Sequence, residues 1–342
     1  MVGTVRHSVA NRAGNVSVVD SGELDPILER VASILGVSDV QFIEQIQSLW
    51  SGYGLLFRAR VGEASVVVKW ISPTSEIHHP RGLVGDFAHQ RKLRSYEVER
   101  RFYAEQSGAL QSASPIPEYL GSHSWGDSSV LVLSDLQCAG FAANRGEISR
   151  SGIHACLQWL AAFHSHFLGR SVPNVWEVGT YWHLDTRPQE LAATRELRLK
   201  DSASEFDHRL TSAQFQTVVH GDAKVANFCF TSDESAVAAV DFQYVGGGVG
   251  IKDVAYLLSS CLSEDELVDH EAVLLEHYFM SLDRYLASRS ISSAPVIREW
   301  RWLYPIAWAD FARFLSGWAP SHWKLHGYTE RQVDEALIRL GQ

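Results

Sequence analysis

The sequence predicts an α+β chain in two lobes, an antiparallel sheet with one helix followed by a mainly helical lobe. Its 342 residues exceed what a single hydrophobic core usually serves. Between residues 41 and 133, short apolar runs alternate with turn residues at strand and hairpin spacing. Beyond Leu133 the pattern changes to long stretches with apolar residues every three or four positions, as helices require.

Residues 1–22 read as a mobile tail of small and polar residues. Asp25-Pro26, a cap and a first-turn proline, opens a helix whose Ile27, Val31, Ile34 and Leu35 share one face and which Gly36 stops. Gln41–Leu49, Leu55–Val61 and Ser65–Ile71 read as strands, the last two joined by a Gly62-Glu63 turn. Residues 72–94 are expected to form a polar loop. Its His78, His79, His89, Arg81, Arg91, Lys92 and Arg94 lack metal-ligand spacing and read as solvated. A helix over Ser95–Gln106 and a hairpin of Tyr119–Trp125 with Ser129–Leu133 complete a five-stranded lobe. Ser134-Asp135-Leu136 is a short polar crossing, so the lobes are expected to span 23–134 and 135–342. In the helical pattern from Ile148 to Phe167, His164 shares a stripe with Ile153, Leu157 and Leu160 and reads as a core histidine.

Hydrophobic residues make up 46% of the chain and charged residues 20%, a globular balance that argues against disorder. A formal net charge of −10 argues against a nucleic-acid partner, which would want a basic stripe, and favours cationic partners. Cys138, Cys156, Cys229 and Cys261 form no ligand-spaced pair and read as free thiols of a reducing compartment. Neither a signal peptide nor a bilayer-spanning stretch is apparent, so a soluble cytoplasmic protein without a membrane partner is expected.

The most informative stretch is His220-Gly221-Asp222-Ala223-Lys224-Val225-Ala226-Asn227, followed by Val240-Asp241-Phe242-Gln243. Phosphoryl transfer needs a carboxylate beside the attacking hydroxyl, an amide oxygen and a second carboxylate on magnesium, and a cation near the migrating charge. Asp222, Asn227, Asp241 and Lys224 fill those roles in that order. Apolar runs at Val218-Val219 and Phe228–Phe230 frame the loop, and Val237–Val240 reads as a buried strand that delivers Asp241 at its end. Any one of these pairs alone is a common accident of turns and caps; the weight rests on both motifs together.

Gly52-Tyr53-Gly54, between the first two strands, could let backbone amides approach phosphates, although an ordinary hairpin turn reads the same way. Lys69, in the apolar strand Val66-Val67-Val68-Lys69-Trp70, can reach the α- and β-phosphates. Stepping about 100° per residue along the following helix puts Glu99 near the middle of the arc of Tyr96, Val98, Phe102 and Tyr103, with Glu97 opposite. Glu99 is therefore the expected partner of Lys69; the alternative pairs Glu99 with Arg100 or Arg101. Asp253, in the first turn of a helix, reads as a cap or anchor rather than a metal ligand.

Lys69, Glu99, His220–Phe228 and Asp241–Gln243, in this order, resemble the protein-kinase-like fold of small-molecule kinases. The ecdysteroid-kinase-like group is the most similar branch, related to choline kinases and aminoglycoside phosphotransferases. Ser95–Glu99 with Phe102-Tyr103, and Gly179–Trp182 with Arg187-Pro188, also look like this group. The resemblance covers roughly residues 45 to 320. It implies a nucleotide-binding N-lobe and a C-lobe carrying the catalytic loop, metal site and acceptor site. ATP and Mg2+ would be the cofactors, with adenine against a hinge at Ser134, Asp135 and Leu136. Gly221 stands where protein kinases have arginine, and Gln243 where they have glycine. Only Gly246–Gly248 separates Asp241 from the next helix, too little for a peptide-docking segment.

The expected activity is ATP-dependent phosphorylation of a hydroxyl on a small molecule. An antibiotic-modifying phosphotransferase is one alternative, a nucleotide-binding pseudokinase another. Trp302, Tyr304, Trp308, Phe311, Phe314, Trp318 and Trp323, with Asp310 among them, read mostly as core. A minority could wall the acceptor pocket, which together with the acidic net charge suggests a cationic or aromatic acceptor.

Overall fold

The structure, a computed structural model, describes residues 21–49, 52–73, 86–110, 113–143 and 148–341. Helix α1 spans Ser21–Leu35 and begins a turn before the expected cap, so Pro26 lies inside it. Leu24 explains the earlier start, because it extends the buried face of Ile27 and Val31 by one turn. Of the expected tail, Ser21 and Gly22 belong to this helix and residues 1–20 lie outside the described residues.

Strands β1 (Gln41–Ser48), β2 (Gly54–Val61), β3 (Ala64–Ile71), β4 (Tyr119–Trp125) and β5 (Ser128–Ser134) form one antiparallel sheet in the order β1-β2-β3-β5-β4. On one face, Leu24, Ile27 and Val31 of α1 pack with Phe57, Val68 and Val132. On the other lies α2, Asp86–Gln106, so two helices flank the sheet. The register sets Lys69 opposite Leu56 on β2 and Leu131 on β5, at the centre of the sheet.

Helix α2 begins at Asp86, nine residues before the expected Ser95. The polar run 86–94 has no apolar stripe to announce a helix, and its polar side chains dock instead. Tyr53 Oη and His89 Nδ1 are 2.6 Å apart, Arg91 donates to the Thr186 carbonyl, Lys92 donates to Gln243, and Arg94 covers Trp176. The solvated-loop reading is thus overturned for this part of the run; His78, His79 and Arg81 lie outside the described residues.

Beyond β5 the chain is mainly helical. Helix α3 (Arg150–Phe167) packs against α8 (Glu264–Ser288), and α9 (Ala294–Trp318) runs through the lobe against α4 (Pro188–Ala193), α5 (Leu197–Asp201), α6 (Ala203–Thr211), α7 (Ile251–Cys261) and α10 (Gly327–Arg339). Two small sheets carry the motif loops. Strands β7 (Thr217–Val219) and β10 (Gly246–Gly248) pair antiparallel, and β8 (Phe228–Phe230) lies between β6 (Ala142–Ala143) and β9 (Val237–Ala239). One apolar core joins the two halves: Phe102 of α2 stacks on Phe242, with ring centroids 4.6 Å apart, and both touch Phe163 of α3. Burial of such rings is the main favourable term here. Among the described residues no helix is long and apolar enough to cross a membrane, and all four cysteines are free.

Candidate active site

Strand β7 ends at Val219, and the loop that follows is bolted down by Asp253 in the first turn of α7. The Asp253 carboxylate accepts from His220 N (2.6 Å) and Gly221 N (3.0 Å), and its Oδ2 lies 3.1 Å from His164 Nε2. Tyr278 Oη lies 2.9 Å from the other His164 nitrogen, so His164 and Asp253 form a buried anchor, as their positions in the sequence suggested. His220 Nδ1 accepts from Asp222 N at 3.2 Å, which makes Nε2 the protonated nitrogen that donates to the Val240 carbonyl at 3.0 Å. Burial lowers its pKa, keeping the ring neutral. One imidazole therefore ties the loop to the strand that carries Asp241.

Gly221 has φ +81°, and a Cβ there would lie 2.0 Å from the Tyr244 carbonyl oxygen. Only glycine fits, which accounts for its place in the motif. Thr180 and Tyr181 brace the same turn, Thr180 N donating to the Tyr244 carbonyl and Tyr181 N to the Gly221 carbonyl.

The loop brings its three polar residues together. Lys224 Nζ donates to Asp222 Oδ2 at 2.8 Å, and Asn227 Nδ2 donates to the same oxygen at 3.0 Å and to the Asp222 carbonyl at 2.7 Å. Asp222 Oδ1 is buried and makes no hydrogen bond to the described residues. An oriented carboxylate with one free oxygen can accept a proton from a substrate hydroxyl.

Across from it, Lys69 Nζ lies 2.6 Å from Glu99 Oε2 and 3.2 Å from Asp241 Oδ1. Glu97 takes both Arg100 and Arg101, leaving Glu99 to Lys69. Burial opposes the charge on Lys69, but Glu99 and Asp241 outweigh it and raise its pKa. Burial likewise opposes ionisation of Asp241, yet Lys69, Lys224 and Lys92 hold its carboxyl well below the usual range. Asp241 adopts φ +69°, a left-handed conformation that costs a side-chain residue about 1–3 kcal/mol and tends to occur at functional positions.

Two residues outside the predicted set complete this side. Gln243 Nε2 donates to Asp241 Oδ1 at 2.6 Å, and its Oε1 accepts from Lys92 Nζ at 2.7 Å. Lys92 precedes Glu99 by seven residues, two turns back on the same stripe of α2, so extending the helical wheel backwards would have found it. A third, Tyr256 on α7, directs its hydroxyl toward Tyr181 and Asp222.

The remaining predicted positions stand apart from this cluster. A Cβ on Gly54 would lie 2.0 Å from the Trp70 carbonyl oxygen, so pairing with β3 requires this glycine; Gly52 has φ +74° in the preceding turn. Ser134 is bound to Glu118 through both its N–H and its hydroxyl, and Asp135 accepts from Arg58, Ser65 and Gln137 N. The Leu136 carbonyl accepts from Phe141 N. The side chains of Ser134 and Asp135 thus serve the crossing itself. Trp308 donates to Thr329, and Asp310 is enclosed by Trp182, Arg313 and Lys252; both are core.

Comparison with known proteins agrees with this architecture. Residues 180–290 match the model of the ecdysteroid kinase-like family. No curated protein matches the chain. The microcompartment-associated aminopropanol kinase superposes with a TM-score of 0.52 at 15% identity, covering 92% of this chain and 94% of its own. A Ralstonia eutropha JMP134 protein assigned to the aminoglycoside phosphotransferases gives 0.53 at 14% identity, over 92% and 97%. Aminoglycoside phosphotransferase APH(4)-Ia gives 0.50 at 11% identity, over 90% and 98%. The chain has the protein-kinase-like fold of small-molecule kinases.

Proposed function

We propose that this chain is an ATP-dependent phosphotransferase acting on a hydroxyl of a small molecule. The observation that carries the reading is the convergence of two groups on one site: Lys69 held between Glu99 and Asp241, and Asp222 held by Lys224 and Asn227. Asp222 Oδ1 accepts the proton of the acceptor hydroxyl, and Lys224 offsets charge on the phosphoryl group in transit. Lys69, positioned by Glu99, holds the nucleotide phosphates, with the base against Ser134–Leu136 and the Gly52–Gly54 turn over the phosphates.

The donor set suits a hard cation. Asp241 is held ionised, and Asn227 spends its amide nitrogen on Asp222, which leaves its oxygen for a metal. Among the described residues no three His, Cys, Asp or Glu gather as a metal cage, so one carboxylate and one amide would share the ion with phosphate oxygens. Magnesium supplies charge neutralisation across the phosphates when bound.

A small acceptor is favoured because the segment after Gln243 runs directly into β10, which pairs with β7, and then into α7. Of the aromatic side chains on this side, Tyr256 reaches toward Asp222, whereas Trp182, Phe311 and Phe314 are buried in the core behind it. The cationic option is disfavoured, since Lys324 already lies over Tyr256 and Phe311. The test is product formation from Mg-ATP and a panel of small alcohols. Asp222→Asn is expected to lower kcat roughly 10²–10⁴-fold while ATP affinity is kept. Normal turnover in that variant removes Asp222 from the role.

A further inference from the structure

Lys324 lies in the turn between α9 and α10, is 9% exposed, and makes no ion pair among the described residues. Its ammonium donates one long hydrogen bond, 3.3 Å, to Ser259 Oγ. Ring faces surround it, with centroids at 4.8 Å for Tyr256, 5.4 Å for Phe311 and 5.6 Å for Trp323, and the titratable side chains of Cys261 and His326 are within its electrostatic reach. The turn is not a loose one: Thr329 donates to the Lys324 carbonyl at 2.6 Å and Lys324 N donates to His322 Nδ1. The other two buried lysines among the described residues have anionic partners, Lys69 with Glu99 and Asp241 and Lys252 with Asp310, and the half-buried Lys92 has Gln243. Burying an ammonium without a carboxylate is costly, and burial pulls its pKa down to about 7.

The position of this unpaired cation gives it a use. It covers the face of the Tyr256 ring, and the hydroxyl of that ring approaches Asp222, the residue assigned to the acceptor. Asp222 and Lys224 are close enough for their charges to act on Lys324. Trp323, whose ring also faces Lys324, is 55% exposed. We infer that the acceptor is a short hydroxy acid, whose carboxylate pairs with Lys324 while its hydroxyl reaches Asp222. The inference rests on the phosphotransferase reading and adds the chemical class of the acceptor. In the transfer, the acceptor oxygen forms a bond to the γ-phosphorus, the bond to the β–γ bridging oxygen breaks, and the hydroxyl proton passes to Asp222.

Charge decides against the other classes. An amino alcohol that put its cation on these rings would meet Lys324 as a like charge. A neutral polyol would leave the ammonium unpaired. A phosphorylated alcohol would bring two negative charges to one ammonium set among aromatic rings and a single hydroxyl, whereas a carboxylate brings one.

The experiment incubates the full chain with Mg-ATP and a pool of hydroxy acids, amino alcohols, neutral polyols and sugar phosphates, and identifies products by mass. Wild type is expected to phosphorylate hydroxy acids. Lys324→Met, which keeps the apolar stem, is expected to raise the KM for that acceptor roughly tenfold or more, with ATP affinity kept, as loss of a charged hydrogen bond implies. Lys324→Arg, which retains the charge, is expected to recover part of the loss. Products drawn from the amino alcohols, polyols or sugar phosphates overturn the inference and leave the kinase reading standing. So does an unchanged hydroxy-acid KM in a Lys324→Met protein that melts like wild type. If Lys324→Met does not fold, an unchanged hydroxy-acid KM in Lys324→Gln, which removes the charge but keeps a polar end, has the same force. Binding of Mg-ATP with no product from the whole pool removes the kinase reading and this inference together.

Discussion

Asp222 and Lys324 are opposite cases of one rule. Asp222 is held by Lys224 and Asn227 through one oxygen while the other, buried, makes no hydrogen bond to the described residues, so a charged group is oriented with an acceptor position unused. Lys324 is held by rings and one hydroxyl, and among the described residues it makes no ion pair, Asp222 acting on it only from a distance. That difference has a signature in stability. An unfolded lysine titrates near 10.4 and the buried Lys324 near about 7, so between those pH values the unfolded chain binds more protons. Stability from this group therefore rises with pH across that window and is lowest, with the full burial penalty, below it. Urea unfolding of wild type and Lys324→Met at pH 7 and pH 9.5 should show the wild type gaining more than the variant. Parallel gains would mean that Lys324 keeps an ordinary pKa.

At the scale of elements, the catalytic loop is placed by groups remote from it in sequence. Asp253 on α7 receives His220 N and Gly221 N, His220 binds Val240 at the end of β9, and Val225 N donates to Ser260 at the far end of α7. Asp253→Ala leaves two buried N–H groups without an acceptor, each costing about 1–3 kcal/mol. We expect a lower melting temperature and, in the protein that remains folded, a fall in kcat larger than the change in the KM for ATP, because the loop that aims Asp222 loses its anchor. A variant with wild-type melting and wild-type kcat would show that the loop holds itself. Helix α2 shows the same dependence on distant partners. Its first turns exist because Lys92, Arg91 and His89 find Gln243, Thr186 and Tyr53.

For the whole molecule, the two halves meet at Asp241. It follows β9 in the helical half and pairs with Lys69 on the sheet, while the Phe102–Phe242 stack joins their cores alongside. A ligand that bridges this junction stabilises the folded chain by mass action, about 2.7 kcal/mol at a hundredfold excess over Kd. Mg-ATP should therefore raise the melting temperature of wild type and leave that of Asp241→Ala unmoved; an equal rise in both would put the nucleotide elsewhere. Much of this junction was legible beforehand. Lys69, Glu99, Asp222, Lys224, Asn227 and Asp241 were named from spacing, strand pattern and helical angle, since local periodicity dictates which side chains share a face. The five strands were likewise legible from their turns and apolar runs. Helix starts at Ser21 and Asp86 were not, because contacts distant in sequence define them. Nor were Lys92, Gln243 and Tyr256 as members of the site, or the lone cation over Tyr256. Lys324 follows Asp222 by about a hundred positions in a turn with no motif, and only the packing of α7 against α9 and the turn beyond it brings an ammonium without a carboxylate to the acceptor side of the loop. Sequence carries the local rules of period and cap, whereas the partner of a buried charge is settled by which distant segments fold against it.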